Sequence, residues 1–177
     1  MKISAEYEQA YGKTKLLYDK ALGGEEKGTV LLIHGTAPMN IDGIIPCNPS
    51  LYGGQPLYAV LARDLNELGW STVRYTRAGV YEDKVDWVEY GVTDLANIVR
   101  QLDLIWDMLP QDKPRVAFSW SGGSVHILQM KLDGAMGIVI MGGIATSRLK
   151  LMKQSAGTEE ARAKLDKFID ELMAKKN

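Results

Sequence analysis

Histidine is scarce in this chain, with 2 in 177 residues, and cysteine scarcer, with 1. His34 and His126 stand far apart with no cluster of carboxylates or thiols around them, so they do not form a metal ligand set, and no metal or other cofactor is expected. Cys47 has no second thiol for an internal disulfide and, set among Pro46, Asn48 and Pro49, reads as a passive residue. Charge of one sign is missing too: 21 Lys and Arg face 22 Asp and Glu, a net charge of -1, which excludes the basic footprint of a nucleic-acid binder. No run approaches the ~18 apolar residues of a membrane span. The opening MKISAEYEQAYGK lacks the apolar stretch of a secretory leader. The expectation is a cytoplasmic protein with neither nucleic acid nor membrane as partner, and the sequence holds no internal repeat.

What is present is an alternation of short apolar runs and helical stripes. GTVLLIHG is rich in β-branched and aliphatic residues and predicts a strand at 29–34 buried on both faces. KTKLLYDKAL, ending at Gly23 and Gly24, predicts an antiparallel edge strand. Residues 35–54 gather Pro and Gly into a long loop. Leu57, Val60, Leu61, Leu65 and Leu68 then follow helical spacing, with Gly69 as the stop before a strand at Trp70 to Tyr75. Leu95, Ile98, Val99, Leu102, Ile105 and Trp106 make a second helical stripe over 91–109, closed by Pro110. RVAFSW is a strand, a third helix opens at Gly122 and carries Val125, Leu128 and Leu132, and AMGIVIMGG is a further strand. Such alternation predicts an α/β fold: a three-layer sandwich with a mostly parallel sheet covered by helices on both faces. Ligands in such sheets sit at the carboxyl ends of the strands, where HGTAPMN, YTRAGV and SWSGGS meet.

One of these loops carries chemistry. A serine hydroxyl is a poor nucleophile, and hydrolases present it on a sharp turn between strand and helix, flanked by small residues that leave the turn room. Ser119-Trp120-Ser121-Gly122-Gly123 meets that requirement, with Ser121 as candidate nucleophile. Acyl transfer also needs two backbone N–H groups aimed at the oxyanion, and Gly122 together with Thr36 of His34-Gly35-Thr36 are the candidates. Ser124 reads as a first-turn residue supporting the helix. Asp42, Asp83, Asp86 and Asp94 read as loop acids or helix caps, Arg74 and Arg77 as surface residues or, in second place, as groups that orient a substrate carboxylate, and Trp120, Tyr75 and Met39 as either an acyl pocket or core.

LLIHGTAPMNIDG, VRYTRAGVYED, VAFSWSGGSV and GIVIMGG, in this order and spacing, resemble the core of the α/β-hydrolase superfamily, in particular its esterase-like and dienelactone-hydrolase-like members. The resemblance covers about residues 14–146, with TRAG in place of the usual DxRG and Ser119 in place of the first elbow glycine. It implies an α/β-hydrolase core over 1–146, with 147–177 as a helical segment where a cap begins, since Ala161, Leu165, Phe168, Ile169, Leu172 and Met173 repeat at helical spacing.

The resemblance also implies an acid and then a histidine base after the nucleophile. The single histidine after Ser121 is His126, which about 500° of helical rotation turns away from the hydroxyl. In resembling proteins the His-Gly pair shapes the oxyanion loop, so His34 enters as a substitute base only in second place. Two readings follow. The first is a serine hydrolase of small carboxylic esters with its base unidentified, the chain being shortened after the nucleophile half and lacking the usual C-terminal strands. The second is a non-catalytic or truncated core with a structural role, forming homo-oligomers through an exposed sheet edge or the C-terminal helix.

Overall fold

A computed structural model describes residues 2–9, 12–143 and the positions 158–160, 163, 166 and 167. The chain divides into two compact units, Met1–Gly143 and Ile144–Asn177. In the second, the described positions 159, 160, 163, 166 and 167 are helical. The amphipathic stripe from Ala161 to Met173 lies largely outside the described residues.

The first unit is a six-stranded sheet in the order β1-β2-β4-β3-β5-β6. Its strands are β1 (Lys2–Gln9), β2 (Gly12–Asp19), β3 (Gly28–Ile33), β4 (Trp70–Tyr75), β5 (Arg115–Trp120) and β6 (Ala135–Met141). β4, β3, β5 and β6 run parallel, while β1 and β2 join antiparallel at one side. The edge on that side is therefore β1 rather than β2.

The pleat of β3 sorts the core into two layers. Leu31 and Ile33 point to one face with Val73, Tyr75 and Ala117, under α3 (Leu95–Asp107) and Ile127. Val30 and Leu32 point to the other, under Tyr58 and Ala62 of α1 (Leu57–Glu67). Helices thus cover both faces, giving the three-layer sandwich with a mostly parallel sheet. Asp94 caps α3 by accepting from the Asn97 N–H at 2.8 Å, and Asp86 caps the short α2 (Trp87–Gly91) in the same way.

The helix after the elbow is shorter than its apolar spacing predicts. α4 spans Gly123–Ile127, and Leu128 is exposed. The cause is tertiary: the buried Arg115 donates to the Asp133 carbonyl at 2.6 Å and to the Trp106 carbonyl at 3.1 Å, while Trp106 Nε1 also donates to Asp133 O at 3.1 Å. These bonds hold the chain in a turn at Asp133-Gly134, and nearer the helix the Lys131 N–H donates to Asp103 Oδ1 at 2.8 Å rather than to a helical carbonyl.

Candidate active site

Ser121 sits between the last residue of β5 and the first turn of α4, with φ +52°, the one non-glycine residue at positive φ among the described residues. The left-handed conformation costs an L-residue about 1–2 kcal/mol, so the turn is held by its surroundings. Ser121 N–H donates to the Met141 carbonyl at the end of β6 (2.9 Å), and the Ser121 carbonyl accepts from Ser124 Oγ at 2.8 Å and from Ser124 N–H at 3.1 Å. Ser124 thus braces the elbow from within the helix. Ser121 is half-buried, and its Oγ makes no hydrogen bond to any described residue.

The glycines around it are there for close approach. A Cβ on Gly122 would stand 2.0 Å from Thr36 Oγ1 and 3.0 Å from Thr36 N, and one on Gly123 would stand 2.6 Å from the His34 carbonyl oxygen. The elbow therefore packs backbone to backbone on the loop that leaves β3. Gly35 lies on the nucleophile itself, since a Cβ there would be 3.4 Å from Ser121 Cβ. Ser121, Thr36 and Gly122 are brought together, and among the described residues the N–H groups of Thr36 and Gly122 donate to nothing.

The loop carrying Thr36 is gripped from behind. Arg77 is buried, not on the surface. Its Nη2 donates to the Gly35 carbonyl at 2.7 Å, and its Nη1 donates to Tyr90 Oη at 3.0 Å and to the Thr36 carbonyl at 3.4 Å. Tyr90 Oη in turn donates to the Thr36 carbonyl at 2.7 Å. Arg74 is likewise buried, bridging Asp19 at 2.6 Å and Asp42 at 2.5 Å. Neither arginine could be placed from sequence, because TRAG and VRY read as polar loop and strand end with nothing to tell inward from outward. Tyr90, on a five-residue helix, gave no periodic signal at all.

Neither histidine reaches Ser121 Oγ. The His34 ring is fully buried, stacked on Tyr58 (centroids 4.5 Å, planes 10° apart) and tilted against Tyr75 (4.8 Å), and neither of its nitrogens has a hydrogen-bond partner. Burial first, then the charges of Arg77 and Arg74 and the neighbouring His126, push its pKa down to about 3, with only the Met39 backbone favouring the charged form. His126, buried on α4, is pushed down to about 4 by burial and Arg77. Both imidazoles are neutral near pH 7. Among the described residues no group of His, Cys, Asp and Glu could hold a metal ion.

Met39 and Tyr75 belong to the core, while Trp120 is half-buried against Val30, Leu32, Met39 and Tyr58. One cleft of about 340 Å³ opens beside Lys13, Lys15, Asn40, Thr76 and Tyr81, and another of about 320 Å³ beside Asp19, Arg63, Asn66 and Arg74; Ser121 lines neither. At the far side of the sheet, β6 leaves Met136, Ile138, Val139, Ile140 and Met141 between 41% and 60% exposed, apolar on both faces. No helix among the described residues is long and apolar enough to cross a membrane.

No protein-family model and no curated protein matches the sequence. Solved structures do match. A soluble variant of monoglyceride lipase from Saccharomyces cerevisiae, in complex with a substrate analogue, aligns with a TM-score of 0.62 at 17% identity over 88% of this chain and 48% of its own. A proline iminopeptidase-related protein from Thermus thermophilus aligns at 0.58 and 14% identity, over 94% of this chain and 56% of its own. A cold-adapted esterase from an Arctic intertidal metagenomic library aligns at 0.56 and 16% identity, over 78% and 59%. The fold is that of the α/β hydrolases, and the chain spans about half the length of the structures it matches.

Proposed function

We propose that the chain is a serine hydrolase of small carboxylic esters, with Ser121 as nucleophile and the N–H groups of Thr36 and Gly122 as oxyanion donors. The observation that carries this reading is the left-handed backbone at Ser121 set against two N–H groups that donate to nothing among the described residues. A strained residue in a conformation its side chain disfavours, held by bonds from β6 and Ser124, is a turn kept for the placement of its hydroxyl. Ser121 Oγ attacks the ester carbonyl carbon, the carbonyl oxygen becomes the oxyanion, and the two N–H groups receive it. Collapse of this intermediate breaks the ester C–O bond and the alcohol departs, carrying the proton that Ser121 Oγ gave up to the base; water then adds to the acyl-enzyme, releases the acid and returns a proton to Ser121.

The proton acceptor is the open part of the reading. His34 is the imidazole at this edge of the sheet, and it serves as base only if its ring leaves the stack with Tyr58 and Tyr75. Residues 1–146 form the hydrolase core in this reading, and 147–177 the helical segment that begins a cap.

The sealed imidazoles and the bare apolar residues of β6 favour a second reading: a non-catalytic core whose copies assemble through that edge. One experiment separates the two. The protein is incubated with a fluorophosphonate probe beside Ser121→Ala, any label is located by mass spectrometry, and the oligomeric state is read by sedimentation. Label confined to Ser121 supports the hydrolase. Folded, unlabelled protein that sediments as an oligomer supports the second reading and sinks the first.

A further inference from the structure

Arg77 is a buried cation with no carboxylate within ion-pair distance among the described residues; two carbonyls and the Tyr90 phenol meet its charge. A buried charge without a counter-ion is costly to keep, and its placement calls for an account. The peptide plane supplies one. In a planar trans peptide the C=O and the N–H of the same unit point in opposite directions, and the Gly35 carbonyl shares its unit with the Thr36 N–H. Holding Gly35 O at 2.7 Å therefore turns the Thr36 N–H away from the guanidinium, and Thr36 N lies on the Gly122 side, 3.0 Å from where a Gly122 Cβ would stand. The next unit, with the Thr36 carbonyl, is held by Tyr90 Oη and by the other arm of the same guanidinium. One planar fork thus sets two successive peptide planes, which a lysine ammonium, with no rigid fork, cannot do. A carbonyl that accepts from a cation also polarises its own N–H, so the charge of Arg77 reaches the open donor through the peptide.

We infer that Arg77, with Tyr90 behind it, is the positioning group that aims the Thr36 N–H at the oxyanion formed on Ser121 and strengthens it as a donor; the inference rests on the hydrolase reading above. Its role is to orient, since it touches neither the hydroxyl nor the space before it.

The test uses the full chain, ¹⁵N-labelled, as wild type, Arg77→Lys and Tyr90→Phe. Three things are read: the resonance and hydrogen-exchange rate of the Thr36 amide, the rate of fluorophosphonate labelling at Ser121 with Ser121→Ala as blank, and the urea midpoint. Loss of one oxyanion donor costs roughly 10²–10³ in rate, so a misaimed donor in Arg77→Lys should slow labelling about 10- to 100-fold. On a p-nitrophenyl ester the loss should fall on kcat with KM unchanged. The Thr36 amide should shift and exchange faster, and Tyr90→Phe, still folded, should show the same changes, smaller. An unmoved Thr36 amide in folded Arg77→Lys, or unchanged labelling, overturns the inference. Where Arg77→Lys does not fold, Tyr90→Phe decides by the same two readings. A wild type that takes no label defeats the hydrolase reading instead, and the Thr36 amide still decides whether the guanidinium sets the peptide plane.

Discussion

Replacing Ser121 by glycine should make the protein more stable, although it removes the proposed nucleophile. The residue holds φ +52°. An L-residue in the left-handed region costs about 1–2 kcal/mol, which glycine avoids. Glycine in turn has more backbone freedom to lose on folding, about 0.5–1 kcal/mol. Little else changes: the hydroxyl has no hydrogen bond to lose among the described residues, and the residue is half-buried. The balance is a gain of about 0.5–1 kcal/mol, which for a chain of this size raises Tm by roughly 1–4 °C. Ser121→Ala keeps the Cβ and with it the strain, so it should melt within about 0.5 kcal/mol of wild type, as an ordinary surface change does. Differential scanning calorimetry of the three proteins gives the order, and the informative quantity is the gap between the glycine and alanine variants. If Ser121→Gly melts no higher than Ser121→Ala, the elbow stores no strain and the chief support for Ser121 as a held nucleophile is gone.

Three further predictions concern stability. Ser119 Oγ is fully buried with no partner among the described residues, so Ser119→Ala should raise stability in urea by about 1 kcal/mol, within the cost of an unmade buried hydrogen bond. For Glu26, burial alone would raise the pKa, but hydrogen bonds from Lys113, Ser71 and Tyr18 bring it from 4.5 down to about 2. A depressed carboxyl contributes stability that is full above its unfolded value and lost as pH falls from about 4.5 towards 2. Urea midpoints between pH 6 and pH 2 should fall through that window in wild type and fall less in Glu26→Gln, with a parallel decline in both proteins counting against the assignment. Asp19, itself buried, pairs with buried Arg74, whereas the Asp42 side chain is 41% exposed. Removing one partner of a buried pair costs about 3–5 kcal/mol, so Asp19→Asn should destabilise far more than Asp42→Asn, and equal urea midpoints would refute the difference.

Three of the parallel strands were legible because their sequences are largely apolar. VLLI, most of RVAFSW and GIVIM are apolar enough to be buried on both faces, and that predicts β3, β5 and β6 as strands of a parallel sheet, although β6 ends the described sheet with its apolar side chains exposed. β1 was harder, since KISAEYEQ is half polar and its alternation has meaning only once β2 lies beside it. The segment after α4 is tied to Asp103 through Lys131 and to Arg115 through Asp133, contacts between residues far apart in the chain that no local spacing encodes. The same division runs through the site. Small residues around Ser121, and a glycine before Thr36, mark where backbones must touch. That Arg77 turns inward to grip Gly35 depends on how two loops cross, and a charged residue in a polar segment looks the same whether it faces solvent or carbonyls.

The central place of β3 bears on how the chain reaches this state. Its most buried strand is among the first made, yet its two neighbours, β4 and β5, both come later, with Thr29 pairing first with Ser71 on one side and then with Arg115 on the other. A ribosome therefore releases VLLI with both its edges open and must add most of the described chain before the second edge closes. Pairings of such long sequence separation slow folding and leave apolar strands available to the wrong partner meanwhile. In refolding, protection of the β3 amides on its β5 side should be among the last to appear.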